Sequence, residues 1–534
     1  MEQQINKDTY DDAELDDIAS QVNQIVEQEE KIYLIPTSTT QSGIAPSIIL
    51  ECLNSNEDGD ARLFIELHKN RFCFDHSIER WFKWRGHYWK EDLVGEVYSG
   101  FDAIIAQYAK ETTRQCDLRI AAAKINQGKD EPGKVEKKLL DRIRDLQTLY
   151  RKKNVLILAS RGTHALGITG NEWDRNPWLL GCSNGVIDLK TGELRRGDAT
   201  DFIKTVSPTE WKGLNEPASV WERFLMDILA EDREKVEYLQ RVFGYAITGL
   251  TTEHFIPILW GSHGRNGKGT LLETIKSVLG LFAGPIPAEM LLNDGRVRSS
   301  AGPSPDIMLL RGRRIAWASE TEEGRRLAVE KVKLLTGADT LTGRAPHAKY
   351  IIEFRPSHTL FLLTNHKPGI PANDYAMWDR VHLVSFALSF VDEPEKLFER
   401  KRDPLLPEKL KQEASGILAW LVRGCLEWQR IGLNPPDSVK QATAQYREDE
   451  DILGLFVSEC TAPDSSENVR AIKFYGAYKK WCEMFGHKHL GGKKFGERIS
   501  ELFPKESDAK GKYYKGIYLT AYSDDEPPIT GYAD

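Results

Sequence analysis

No two of the seven cysteines are spaced as C-x-x-C; Cys52, Cys73, Cys116, Cys182, Cys425, Cys460 and Cys482 lie scattered along the chain. That scatter argues against a disulfide framework and a cysteine-rich zinc site, so reduced, buried thiols are expected. Long apolar runs are missing too: none approaches the roughly 20 residues of a membrane span. The opening residues Met1-Glu-Gln-Gln-Ile-Asn-Lys7 lack the basic and apolar regions of a secretion signal. A cytoplasmic protein with no membrane partner is expected. Excess positive charge is absent, since 72 Lys and Arg stand against 80 Asp and Glu, a net charge of −8. Proteins that coat themselves in nucleic acid are usually basic, so a grip on DNA has to come from local patches or a pore. Internal repeats and low-complexity tracts are also missing. What remains, 534 residues with 40% hydrophobic content, is enough for two to four domains with real cores.

The first 58 residues are acidic and polar, with Asp11-Asp12, Asp16-Asp17 and Glu27-Gln-Glu-Glu30, and read largely as a mobile arm. An aromatic-rich stretch follows, Phe72-Cys-Phe-Asp75, Trp81-Phe-Lys-Trp84 and His87-Tyr-Trp89, with Arg85-Gly86 as a turn. A small β-sheet core is the favoured reading over a base-stacking platform. Residues 95–160 read as helical and carry Lys134, Lys137, Lys138, Arg142, Arg144 and Arg151-Lys-Lys153; interspersed acids make a solvated face at least as good a reading as a DNA track. Asn184-Gly-Val-Ile-Asp-Leu189 and Lys190-Thr-Gly-Glu193 predict strand, turn and return strand. Helical periodicity runs from Trp221 to Gly249 and again through Ile417-Leu-Ala-Trp-Leu421. The last hundred residues show two helical patterns, Ala471–Phe485 and Lys494–Leu502, then a hairpin from Tyr513-Tyr514 to Tyr518-Leu519, the order of a winged helix.

The most informative segment is Gly261-Ser262-His263-Gly264-Arg265-Asn266-Gly267-Lys268-Gly269-Thr270. An apolar strand-like run, Phe255–Trp260, precedes it, and a helical pattern, Leu271–Leu279, follows. Strand, glycine-rich loop and helix form a phosphate cradle: backbone N–H groups turn inward, the helix N-terminus adds its dipole, and Lys268 adds charge at the β- and γ-phosphates. ATP is the expected ligand. The glycines stand at 261, 264 and 267, with Ser262 where the simple pattern has glycine. Gly269 follows the lysine where a magnesium-holding Ser or Thr is usual; either Thr270 takes the Mg2+ role or water does.

Hydrolysis needs an acid, a polar sensor and positive charge at the γ-phosphate. The acid is Glu320, closing the apolar run Arg314-Ile-Ala-Trp-Ala-Ser-Glu320; it is a candidate water-orienting base and a candidate Mg2+ ligand. The sensor is Asn365, closing Thr359-Leu-Phe-Leu-Leu-Thr-Asn365. The arginine is Arg380, in Met377-Trp-Asp-Arg-Val381, placed to reach a neighbour's ATP if subunits form a ring. Between acid and sensor, two strand-like runs flank a basic tip with Arg344, His347 and Lys349, a hairpin suited to phosphates of a threaded strand. In the C-terminal region Lys493, Lys494, Arg498, Lys512 and Lys515 are candidate contacts to duplex DNA.

These motifs in this order resemble the superfamily 3 helicases, above all the primase–helicases of phages, plasmids and satellite phages and the related poxvirus helicase–primases. The residues that carry the resemblance include Gly59-Asp-Ala61, Trp81 to Trp89, Asn184–Leu189 with Thr191-Gly192, and Tyr238–Gly249. They continue with Asn266–Thr270, Ser319-Glu-Thr-Glu322, Lys333–Gly337 with Asp339, and Thr364-Asn-His-Lys-Pro368. The resemblance implies an α/β fold with an AAA+ P-loop ATPase core, an N-terminal α-rich, collar-like domain with small β elements, and a C-terminal winged helix. The corresponding division is an arm over 1–58, an N-terminal domain over 59–205, a helical collar over 206–250, the ATPase over 251–395, a helical lid or connector over 396–440, and the winged helix over 441–534. It also implies a homo-oligomeric ring, a hexamer, that moves along single-stranded DNA at replication forks in a phage, prophage or mobile element. Lys268 would bind phosphate, Glu320 serve hydrolysis, Asn365 sense the γ-phosphate and Arg380 act across the interface, with Lys349 or His347 on DNA. Only about sixty residues precede the collar-like region, and Glu57-Asp-Gly-Asp60 reads as linker acids rather than a two-metal site. A helicase served by a separate primase or polymerase is therefore expected. The alternative is an initiator that binds duplex origin DNA and does not unwind it processively; a bifunctional primase–helicase is the weaker third reading.

Overall fold

The computed structural model describes residues 44–126, 133–293, 304–320, 322–344 and 351–521. The chain divides into two compact units, one reaching Ile187 and including Leu194–Val206, the other made of Asp188–Glu193 and the residues from Ser207 onward.

In the first unit, helices Pro46–Asn54, Asn56–His68, Gly100–Asn126, Lys134–Leu146 and Leu149–Ala159 enclose one core. Phe64, Phe101, Ile104, Tyr108, Leu139, Leu146 and Val155 are fully buried in it. Residues 46–54, expected within the arm over 1–58, are helical because Ile49, Cys52 and Leu53 fall on one buried face; residues 1–43 lie outside the described residues. The next helix crosses at contact distance at Gly59, where a Cβ would sit 1.8 Å from the Cys52 carbonyl oxygen.

The reading of Asp60 as a linker acid is corrected. It is completely buried and accepts from Tyr108 Oη at 2.8 Å, Arg142 Nη1 at 2.8 Å and Arg151 Nε at 2.8 Å. A buried carboxylate needs such partners, and two cations of the basic helices supply them. Those residues form an internal ion network, not a nucleic-acid track.

The aromatic stretch forms β1 (Phe72–Asp75), β2 (Arg80–Trp84) and β3 (Trp89–Glu91), joined by β4 (Gly167–Ile168) in the order β3-β2-β1-β4. Phe72, Phe82 and Trp89 are buried, so the aromatic pattern served a core. Strands β5 (Leu179–Cys182), β6 (Gly185–Asp188) and β7 (Glu193–Arg195) form a separate three-stranded sheet in that order.

The second unit holds a five-stranded sheet. Its strands come from β8 (Ile256–Trp260), β9 (Ala283–Pro285), β10 (Ile315–Glu320), β13 (Thr359–Thr364) and β14 (Val381–Ser385); β11 (Leu341–Gly343) and β12 (Ile352–Phe354) form a separate antiparallel hairpin. The order is β14-β8-β13-β10-β9 and every pairing is parallel. Both faces of a parallel sheet are covered, so its strands read as unbroken apolar runs; Ile256, Ile258, Ala316, Ala318, Leu360, Leu362 and Leu383 are buried accordingly. Helices Ser219–Ile228, Arg233–Ala246 and Ala414–Ile431 pack beside the sheet, with the Phe243 and Phe361 rings stacked at 4.9 Å.

Two short strands, β15 (Ser389–Val391) and β16 (Glu399–Lys401), follow β14. The chain then passes through helices Asp437–Asp449 and Ile452–Cys460 into β17 (Thr461–Arg470), helices Ala471–Met484 and Gly492–Leu502, β18 (Lys505–Asp508) and β19 (Gly511–Leu519). The hairpin expected between Tyr513 and Leu519 is displaced. Residues 511–519 are one strand, and the reversal falls at Ala509-Lys510, where Asp508 accepts from Lys510 N at 2.8 Å and Gly511 takes φ +112°.

Candidate phosphate-binding site

The glycine-rich loop leaves the carboxyl end of β8 and enters the helix Lys268–Leu279. Gly267 takes φ +82° against helix Ser219–Ile228, where a Cβ would lie 2.4 Å from Ile228 Cγ2. Position 267 is thereby closed to side chains. Inside the loop the buried Asn266 amide donates to the His263 carbonyl at 2.6 Å. From outside, Ser389 Oγ donates to the Gly264 carbonyl at 2.8 Å and Phe390 N to the Arg265 carbonyl at 2.8 Å. The His263 ring lies flat on Phe398, with centroids 4.0 Å apart and planes 8° apart. Carbonyls are thus turned toward neighbouring protein. Ser262, Arg265 and Gly269 are exposed, and Thr270 is half-buried in the first helical turn.

Register aligns the remaining candidates. Trp260 pairs with Thr364, and Thr364 with Glu320, so three adjacent strands end level, with Glu320 two strand spacings, about 10 Å, from Trp260. Open parallel sheets bind ligands at this carboxyl edge. Lys268 is 6% exposed. Its Nζ donates to the Thr364 carbonyl at 2.8 Å and Asn365 Oδ1 at 3.0 Å, and lies 3.5 Å from the Gly261 carbonyl. These partners are neutral; among the described residues no carboxylate pairs with it. Burial accordingly pulls its pKa down to about 8. A buried cation ringed by backbone and amide oxygens fits a polyanionic ligand, so the residues present suit a triphosphate.

For Mg2+ the described donor near the loop is the Thr270 hydroxyl, in the first turn of helix Lys268–Leu279, and hard oxygen ligands suit that ion. No group of three or more His, Cys, Asp or Glu poised for a metal occurs among the described residues, so Mg2+ would depend on phosphate oxygens for much of its shell.

Other candidates lie elsewhere. Arg380 sits at the amino edge of the sheet, where its carbonyl accepts from Ile256 N at 2.7 Å, about 13 Å along β8 from the loop. Its Nη1 donates to the Ala376 carbonyl at 2.6 Å and its Nε is buried without a hydrogen-bond partner. Arg344 directly follows β11, its backbone exchanging bonds with Ser304 at 3.0 and 3.1 Å; His347 and Lys349 are outside the described residues. In the C-terminal region Lys493, Lys494 and Lys512 are exposed. Arg498, by contrast, is bound to Asp451 at 2.8 Å and Lys515 to Glu506 at 2.8 Å.

The sequence reading missed Ser389, Phe390 and Phe398, which brace the loop from a segment over 120 positions later. It also missed Lys367, two residues beyond the sensor. Lys367 lies over the Trp260 and Tyr446 rings at 5.0 and 5.3 Å and pairs with Asp449 at 3.0 Å. The motif Thr364-Asn-His-Lys-Pro368 was visible; that its lysine meets the residue preceding the loop was not.

Residues 61–230 match a family model described as D5 N terminal like, and residues 448–520 match one described as Poxvirus D5 protein-like. The chain is 25% identical over 464 residues to a putative helicase, L207/L206, of Acanthamoeba polyphaga mimivirus, covering 81% of this chain and 46% of that protein. It is 22% identical over 325 residues to a putative primase, C962R, of African swine fever virus, covering 58% and 33%. The chain thus spans less than half the length of these curated relatives. Among solved structures, the A form apo structure of the NrS-1 C-terminal region aligns over 84% of this chain and 96% of that chain, with 11% identity and a TM-score of 0.42. The chain is therefore similar to helicase- and primase-like proteins of large DNA viruses. No helix among the described residues is long and apolar enough to cross a membrane.

Proposed function

We propose that the chain is an ATP-driven replicative DNA helicase, its second unit an AAA+ P-loop ATPase of the superfamily 3 type acting in a homo-oligomeric, hexameric ring on single-stranded DNA. The observation that carries this reading is the meeting of Lys268 with Thr364 and Asn365 at the carboxyl edge of a parallel sheet whose next strand ends in Glu320. Lys268 would hold β- and γ-phosphate oxygens, and Asn365, released from the lysine, would turn its amide to the γ-phosphate. Glu320 would orient the attacking water, and Thr270 would serve Mg2+. Arg380, distant from its own loop, would act on a neighbour's nucleotide. The β11–β12 hairpin with Arg344, His347 and Lys349 would hold the threaded strand. Relatives named as helicases support the reading at the level of class.

The test is ATP hydrolysis and fork unwinding by purified protein with and without single-stranded DNA, beside Lys268→Ala. DNA-stimulated hydrolysis lost in the variant is expected; unwinding that persists in Lys268→Ala would overturn it.

A second reading, an initiator ATPase that grips duplex origin DNA through a C-terminal winged helix, is favoured by the exposed Lys493 and Lys494 at the start of helix Gly492–Leu502 and Lys512 on the adjoining hairpin. A sequence-specific footprint together with failure to unwind forks would select it. Primer synthesis from a template by this chain would instead favour a bifunctional primase–helicase.

A further inference from the structure

The segment just beyond the sensor strand, residues 365–370, is bonded to the chain on three sides. Toward the glycine-rich loop, the Lys367 ammonium lies 5.0 Å from the ring centroid of Trp260, the last residue of β8. Toward the acid strand, Gly369 N donates to the Arg325 carbonyl at 2.9 Å, and the Gly369 carbonyl accepts from Leu327 N at 3.0 Å. Toward helix Asp437–Asp449, Lys367 pairs with Asp449 at 3.0 Å and lies 5.3 Å from the Tyr446 ring centroid. Tyr446 Oη donates to the Pro368 carbonyl, and Ile370 N donates to Glu450 Oε2 at 3.1 Å. The residue after Glu450 serves a different partner. Asp451 accepts from Gly454 N at 3.1 Å, capping helix Ile452–Cys460, and from Arg498 Nη2 at 2.8 Å, on helix Gly492–Leu502. Three consecutive acids therefore divide: Asp449 and Glu450 hold the sensor segment, and Asp451 holds a helix of the C-terminal region.

A surface ion pair by itself contributes little to stability, but these bonds share one short run of backbone. Movement of residues 365–370 is felt at Asp449 and Glu450, and Asp451 carries it on to Arg498. The segment's other anchor is the bond between Asn365 Oδ1 and Lys268 Nζ, at 3.0 Å. A phosphate that takes the lysine releases Asn365, which stands two residues before Lys367. We infer that Lys367 and the run Asp449-Glu450-Asp451 form a relay by which nucleotide at the Lys268 site loosens helix Gly492–Leu502. The inference rests on the phosphate-loop reading above. Coupling between sites is reciprocal, so a ligand gripped by that helix would change nucleotide affinity by the same factor.

The experiment follows amide hydrogen exchange in the full chain with and without AMP-PNP, an ATP analogue that is not turned over, and measures binding of the same analogue by calorimetry. In the unaltered protein saturating AMP-PNP is expected to speed exchange in helix Gly492–Leu502 about fivefold, the lower end of ordinary coupling between sites. Two variants cut the relay at different points. Lys367→Met keeps the stem of the side chain and removes its charge. Asp451→Ser still caps helix Ile452–Cys460 but is too short to reach Arg498. Both are expected to bind AMP-PNP within a fewfold of the unaltered protein, to exchange faster without it, and to show no further change when it is added. A purely structural role for these residues would raise exchange and leave the response to AMP-PNP in place. Unchanged or slower exchange in an unaltered protein that binds the analogue would overturn the relay, as would a response that persists in both variants; the loop reading stands in either case. Failure of the unaltered protein to bind AMP-PNP would remove the loop reading and the relay with it.

Discussion

Lys268 Nζ and Asn365 Oδ1 lie 3.0 Å apart, although 97 positions separate them in the chain. One is the first residue of the helix after the glycine-rich loop, the other the first residue beyond a strand two crossovers later. The bond holds the ammonium and sets the direction of the amide. In the proposed reading a nucleotide would replace it, giving the ammonium an anion and letting the amide turn its N–H to the γ-phosphate. Asn365→Ala is therefore expected to leave ATP affinity within a fewfold of the unaltered protein and to cut hydrolysis by roughly 10²–10³, the usual cost of one preorganised transition-state donor. Steady-state turnover beside equilibrium binding checks it; equal losses in both would make Asn365 a structural partner of the lysine only.

The lowered pKa of Lys268, about 8, makes a prediction in pH. As pH rises through 8 the free protein's ammonium loses its proton, so ATP affinity should fall from pH 7 to pH 9. The sign for stability is opposite. Between about 8 and the ordinary lysine value of 10.5 the unfolded chain binds more protons at this site than the folded one, so its contribution to stability rises with pH. Lys268→Met, which removes a buried cation whose described partners are neutral oxygens, should melt no lower than the unaltered protein at pH 7 while losing ATP binding. A lower melting temperature in that variant would mean the neutral hydrogen bonds outweigh the desolvation.

Strands β8, β10 and β13 were legible because a buried parallel strand is a short unbroken apolar run, and β10 and β13 end in the polar Glu320 and Thr364 at the carboxyl edge. Helices 100–159 were legible from their periodicity. The partnership of Asp60 with Arg142 and Arg151 was not, because an acid in a polar helix and basic residues eighty to ninety positions later read as surface unless the fold buries them together. Nor was the bracing of the loop by Ser389 and Phe390: a backbone carbonyl accepting from a distant strand leaves no mark in side-chain pattern. The hairpin of the last hundred residues was misplaced because Tyr513–Leu519 alternates well enough for two strands, and only the Asp508 turn decides where the chain reverses.

Asp60 carries a stability prediction for the first unit. Asp60→Ala leaves two guanidiniums and the Tyr108 hydroxyl facing a buried gap. Breaking a buried ion network from one side costs about 3–5 kcal/mol. Urea unfolding should show that loss, and Asp60→Asn, which keeps hydrogen-bond acceptors but not charge, should fall between. Unchanged unfolding in both variants would remove the network from the account of this fold.

Arg380 separates a ring from a lone ATPase. In its own subunit it lies at the amino edge of the sheet, about 13 Å along β8 from the loop, and its Nε is buried without a partner. It cannot serve the nucleotide beside its own Lys268, so its proposed role needs a neighbour in a head-to-tail interface. Lys268→Ala and Arg380→Ala should each be inactive alone. Mixed in equal amounts and allowed to exchange subunits, they should regain activity, because about one interface in four then joins an intact lysine to an intact arginine in a heterologous ring. Recovered ATP hydrolysis in the mixture is the readout. An Arg380→Ala protein that hydrolyses ATP normally by itself would return the guanidinium to a structural role capping the helix Tyr375–Trp378, and the ring would lose its catalytic reason.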